Sequence, residues 1–200
     1  MLRRLLQLYI GLVLYGVSTA MFVRADLGVD PWNVFHLGVA HWLAMDIGTV
    51  MILTGALVLM LWIPLRQMPG LGTISNVIVL GLAANATLAV LPTPDALLLR
   101  WALLVAAIVV NALATGMYIG AGFGPGPRDG LMTGLHARTG WSLRGIRTTI
   151  ELSVLLIGYL LGGSFGVGTV LYALTIGPLI QICLPWFSQR PRYALRPEQG

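Results

Sequence analysis

Displaced by 96 residues, this chain aligns with itself without a gap. Arg4 meets Arg100, Thr19 meets Thr115, Met21 meets Met117 and Pro31 meets Pro127. Gly28, Gly38, Gly70, Gly72 and Gly81 meet Gly124, Gly134, Gly166, Gly168 and Gly177. Chance at this glycine content supplies roughly one or two such glycine coincidences, so the constant register marks a true internal repeat. Gly70-Leu71-Gly72-Thr73 also recurs as Gly166-Val167-Gly168-Thr169. Such a repeat restricts the chain to architectures in which one unit is built twice and the two copies pack on each other.

The solvent for that pair is a bilayer. Hydrophobic residues make up 57% of the chain and charged residues 10%, and the mean hydropathy is +0.85. A water-soluble domain of this size needs far more charge on its surface, which excludes the soluble-enzyme classes. The net charge is +5, and all 12 basic residues are arginine. They are scattered between apolar segments rather than gathered on one face, so they read as membrane orientation signals and not as a nucleic-acid surface. The single cysteine, Cys183, excludes an internal disulfide and any cysteine-based metal or redox pair.

Six apolar stretches approach the length that crosses a bilayer. They run from Leu5 to Val23, Ile47 to Ile63, Thr73 to Leu91, Leu97 to Ile119, Ile146 to Gly162 and Val167 to Phe187. Each must be helical, because lipid cannot satisfy an open backbone. Arg3 and Arg4 before the first stretch imitate a signal peptide, but that stretch matches Leu97 to Ile119 under the repeat and so belongs to the unit.

Two shorter stretches, near Pro31 to Met45 and Pro127 to Arg138, occupy the same place in each copy. Both start at a glycine and a proline, and proline suits the first helical position. Asp30 and Gly126 are the expected N-caps. Both are too short to span. They either dip into the membrane or lie at its surface, and the preferred reading is that they dip.

The fold expected is an all-α polytopic membrane protein: six crossings in two inverted three-helix repeats, each with a short helix after its first crossing. Residues 1–96 form the first repeat, 97–187 the second and 188–200 a cytoplasmic tail. With the N-terminus inside, all 12 arginines except Arg24 and Arg100 lie on the cytoplasmic side. An odd number of crossings per copy turns the second copy upside down.

The run Gly122-Phe123-Gly124-Pro125-Gly126-Pro127-Arg128-Asp129-Gly130-Leu131, followed by Gly134-Leu135, Thr139-Gly140, Gly168-Thr169 and Gly177-Pro178, resembles the YczE/YitT-like bacterial integral membrane proteins, in particular the short YczE-like branch. The resemblance covers about Leu5 to Phe187. It implies a polytopic protein of the bacterial inner membrane and carries no mechanism.

Inverted repeats with broken segments at matching places are typical of secondary transporters. The residues expected to contact a solute are Arg24, Asp30, Asn33, Arg128 and Asp129 at the starts of the short helices, Asn111 within a crossing, and Glu151. Helix N-termini and free N–H groups there suit a small polar or anionic solute. The competing assignment makes Asp30, Asn33 and Asp129 plain caps, and pairs Glu151 with Arg147 one turn earlier. Asn33 matches Asp129, Asn76 matches Tyr172, Asn85 matches Gln181 and Tyr15 matches Asn111, which suggests a polar path or helix-to-helix hydrogen bonds. His36, His41 and His136 lack metal-ligand spacing. Gly158 and Gly162 permit close helix packing, within the fold by default or in a homodimer. No cofactor, nucleic-acid partner or enzymatic constellation is expected. A membrane scaffold for a larger complex is the second functional reading.

Overall fold

The computed structural model describes residues 1–188, and these are helical without a strand. The expected tail, apart from Ser188, lies outside the described residues. Eight helices follow in order: α1 (Leu2–Ala25), α2 (Pro31–Leu43), α3 (Ile47–Leu65), α4 (Leu71–Val90), α5 (Leu97–Gly120), α6 (Pro127–Thr139), α7 (Leu143–Leu160) and α8 (Val167–Phe187). Five of them, α1, α3, α4, α5 and α8, are long and apolar enough to cross a membrane. The stretch expected from Ile146 to Gly162 forms α7, which has only 18 residues and carries Arg144, Arg147 and Glu151. The chain is thus a polytopic helical membrane protein.

Local chemistry explains the boundaries. Pro31 and Pro127 open α2 and α6 behind the caps Asp30 and Gly126, where a missing N–H costs nothing. Arg66 and Ala44 close α3 and α2 in the left-handed conformation, a common way to end a helix. Helices α2, α3 and α4 begin at Pro31, Ile47 and Leu71, and α6, α7 and α8 begin at Pro127, Leu143 and Val167. The 96-residue register of the sequence is therefore also the register of the helices.

Packing follows the same register. Helix α1 lies along α5 at the centre, with Leu8 and Leu12 fully buried beside Tyr118, and Phe22 fully buried beside Leu104 and Ala107. Exchanging the two copies maps α1 on α4 to α5 on α8, and α2 on α7 to α6 on α3. Glycines permit the closest of these approaches. Gly38 of α2 lies against the Gly158 carbonyl of α7, so Gly158 serves packing within the chain, and Gly130 of α6 lies against the Trp62 indole of α3. The principal exception is α3, which packs on α4 while α7 and α8 share no comparable interface.

The recurring Gly-x-Gly-Thr sequence braces one copy against the other. Thr73 Oγ1 accepts from the Gly70 N–H at 3.2 Å and donates to the Pro125 carbonyl at 2.8 Å, while Gly72 N–H donates to the Phe123 carbonyl at 2.9 Å. In the other copy Thr169 Oγ1 accepts from Gly166 N–H at 3.2 Å, and Gly168 N–H donates to the Leu27 carbonyl at 2.6 Å. Each motif thus holds the loop that precedes the other copy's short helix. Those loops run through Gly28 and Gly124 at φ 100° and 117°, a region that only glycine enters without strain. Thr73→Val keeps the shape but removes both hydroxyl bonds. A loss of about 1–2 kcal/mol is expected, read by reversible unfolding in detergent, and Thr175→Val on α8, whose hydroxyl donates only to the Leu171 carbonyl of its own helix, provides a control without a bond between copies.

Chain ends also gather into two sets. Arg4 donates to the Ala121 carbonyl at 3.0 Å, and Gln7 to the carbonyls of Met117 and Phe187 at 2.9 Å. At the other end of α1, Arg24 donates to the Leu88 carbonyl at 2.5 Å and to Thr93 Oγ1 at 3.3 Å, and Arg100 pairs with Asp26 at 3.2 Å.

Candidate functional site

The site begins with two helix N-termini that meet. At the start of α2, Asp30 accepts from the Asn33 backbone N–H at 3.4 Å and from the Asn33 side-chain amide. Asn33 Oδ1 in turn meets His36 Nδ1 at 3.1 Å. These three polar residues are buried and sit three apart, on one side of the helix, so each satisfies the next. At the start of α6 the cap is Gly126, which has no side chain to give. Asp129 instead accepts from the Tyr118 hydroxyl at 3.4 Å.

The two starts are joined by Arg128. Its guanidinium lies 3.7 Å from Asp30 Oδ1 and 4.6 Å from the centre of a Trp32 ring. Trp32 and Arg128 occupy the same position in the two copies. Asp30 is almost wholly buried, with 6% of its side chain exposed, so its charge depends on this partner.

Beside this junction lies a cavity of about 420 Å³, within the range of small-molecule sites. Asp30, Arg128 and Asp129 border it, and so does Glu151 from α7. Arg147 borders it too, and pairs with Glu151 at 2.9 Å. Four aromatic side chains complete much of the wall: Tyr15, Trp32, Tyr118 and Tyr172.

Three expected residues stand elsewhere. Arg24 does not border the cavity; its guanidinium is spent on the end of α4 and the loop after it. Asn33 lies behind Asp30 and orients it. Asn111 is a buried link, donating to Ser18 Oγ at 2.9 Å and accepting from Tyr172 at 3.3 Å. Sequence reasoning missed Arg147 and the aromatic wall as lining groups. Tyrosine in an apolar helix carries no sign of which way it faces, although Tyr15 and Tyr172 did stand at repeat-matched polar positions.

The cavity occupies the space that α7 and α8 leave between them. Both helices contribute to its wall, α8 through Tyr172, Gly177 and Gln181. The equivalent space in the other copy, between α3 and α4, is narrowed to about 30 Å³. There Asn85 Oδ1 accepts from the Gly48 N–H at 2.8 Å, Gly81 lies against the Gly48 carbonyl and Gly55 lies against Val77. A methyl group added to Gly81 would sit 2.7 Å from Ile52 Cγ1, whereas one added to Gly177 would meet nothing within 4 Å. Arg144 stands where the narrow side has Gly48.

Comparison with known proteins gives a family and no activity. Residues 2–185 match a family described as a family of unknown function (DUF6198). A Haemophilus influenzae protein described as uncharacterized is 37% identical over 184 residues, covering 92% of this chain and 84% of its own. The Bacillus subtilis protein described as uncharacterized membrane protein YczE is 31% identical over 193 residues, covering 94% and 88%. No solved structure matches the chain.

Proposed function

This chain belongs to the DUF6198 family and is YczE-like, and on the geometry of its cavity we propose that it is a small-solute carrier of the bacterial inner membrane. The observation that carries the reading is the cavity itself. It is polar, it sits at two opposed helix N-termini, and it is wide on one side, about 420 Å³, while the matching space between α3 and α4 is narrowed to about 30 Å³. A membrane chain keeps charged groups inside only at a cost, and such groups commonly serve a solute or ion path. A scaffold needs no such cavity, and the proposal is that the protein moves its solute without transforming it.

In this reading the six crossings are α1, α3, α4, α5, α7 and α8, and the copies are inverted. The two sets of chain ends support it, because each set collects the ends that six crossings place on one side. One set holds Arg4, Ala121 and, through the Gly72–Phe123 bond, the start of α4; the other holds Arg24, Asp26, Thr93 and Arg100. In this topology the side of the first set carries every arginine of the sequence except Arg24 and Arg100, which makes it cytoplasmic. Helices α2 and α6 enter from opposite faces and present Asp30 and Arg128 to each other near the middle of the membrane. Transport then alternates: α7 closes on α8 as α3 parts from α4.

Topology tests this first. A single cysteine at Gln67 and one at Asp95, in a Cys183→Ala background, are expected to react with an impermeant maleimide from opposite faces of intact cells. Reaction of Asp95→Cys only from the cytoplasm would overturn the inverted arrangement.

A further inference from the structure

The wide cavity and the narrow space between α3 and α4 are lined by matching residues. Met51, Gly55, Val77 and Leu80 border the narrow space. Their partners under the repeat, Arg147, Glu151, Ala173 and Ile176, border the cavity. One arrangement thus occurs twice, packed in the first copy and parted in the second. The packed copy shows which places the parted residues take when α7 meets α8.

Two of those four replacements bring charge. Met51 is 6% exposed and packs in the core with Val50 and Leu80. A methyl group added to Gly55 would sit 3.0 Å from Val77 Cγ1. On α7 these places belong to Arg147 and Glu151, with 63% and 33% of their side chains exposed, paired at 2.9 Å. Ala173 stands where the narrow side has Val77, which leaves more room beside Glu151. Closure therefore carries a guanidinium and a carboxylate from exposed positions into an interface that is apolar in the packed copy. A lone charge resists such burial far more than a paired one, and arginine cannot lose its proton to escape.

Resting on the carrier reading, we infer that the Arg147–Glu151 pair controls the movement of α7: Glu151 is the counter-charge that lets Arg147 enter the closed interface. The two side chains go in as a neutral unit, in the places that Met51 and Gly55 hold in the other copy. This role needs no contact with the solute.

Disulfide formation reads the closure directly. In the packed copy the Gly48 N–H donates to Asn85 Oδ1 at 2.8 Å, and a methyl group on Gly48 would lie 2.6 Å from Asn85 Cγ. The matching pair, Arg144→Cys with Gln181→Cys in a Cys183→Ala background, therefore comes within disulfide reach when α7 closes. Copper phenanthroline in membrane vesicles is expected to link this pair in a chain that keeps Arg147 and Glu151. Adding Glu151→Gln is expected to slow the linkage about tenfold, the effect of one unpaired charge that keeps part of its exposure. Adding Arg147→Met with Glu151→Gly instead, which copies the packed side, is expected to make linkage faster than with the native pair, because no charge is then buried. Melting in detergent reports the folding of each variant, and the double replacement decides alone if Glu151→Gln does not fold. Equal linkage with and without Glu151→Gln would overturn the role of the pair while leaving the movement of α7 intact. Linkage no faster in a folded double variant would do the same. Absence of linkage in every variant would overturn both this inference and the carrier reading.

Discussion

Gly177→Leu is expected to fold as well as wild type and to lose solute movement, whereas Gly81→Leu is expected to fold poorly. The two glycines are equivalent in the repeat, so any difference between them comes from packing alone. Gly81 lies against the Gly48 carbonyl and Ile52, and a side chain there must push α3 off α4. Overpacking against backbone costs about 3 kcal/mol, the upper end of the usual range. Gly177 faces open space, so a leucine finds room in this conformation. That same leucine blocks the approach of α7 to α8 that a carrier requires. Melting in detergent reads the first effect. Uptake of a solute that the wild type moves into proteoliposomes reads the second, with flux expected to fall at least tenfold. Undiminished flux through Gly177→Leu would mean that the two helices never close, and would make the cavity a fixed pore.

Arg128→Gln is expected to cost about 3 kcal/mol of stability. The substitution leaves Asp30 buried, with its carboxylate facing Asn33 and no counter-charge. The figure sits at the low end for a broken buried pair because a quarter of the Arg128 side chain is exposed. Part of the loss is the contact of the guanidinium with the Trp32 ring. Adding Asp30→Asn should return most of it, since asparagine still caps α2 and brings no charge. Unfolding free energies of the wild type, both single variants and the double variant form the cycle that measures this coupling. A loss below about 1 kcal/mol for Arg128→Gln would show that Asp30 does not depend on this ion pair.

Much of the architecture was legible before any coordinates. Long apolar runs, glycine-proline starts and the caps Asp30 and Gly126 are local signals, and helix formation in lipid obeys local rules because the backbone must satisfy itself. The short helices fall where those signals place them, from Pro31 and from Pro127. The pairing of Glu151 with Arg147 was also readable, since both lie on one face of one helix. Site membership was only partly legible. Asp30, Arg128, Asp129 and Glu151 come together, but Arg24 looked equivalent to them in sequence and lies with the end of α4. Asn111 looked like a path residue and became a buried link between α1 and α8.

The sequence by itself determined a membrane chain built twice, with helices starting and stopping at the same places in each copy. These properties depend on composition, on local capping chemistry and on a register that any single strand of text displays. Tertiary structure alone decided that the Gly-x-Gly-Thr motif of one copy would brace the loop of the other. It also decided that Trp32 and Arg128 would stack across the junction, and that α3 would pack on α4 while α7 stands away from α8. Those outcomes depend on which surfaces, distant in the chain, win each other's contact. In an apolar helix surrounded by lipid no periodicity marks the inward face, so the competition is settled only when the helices pack.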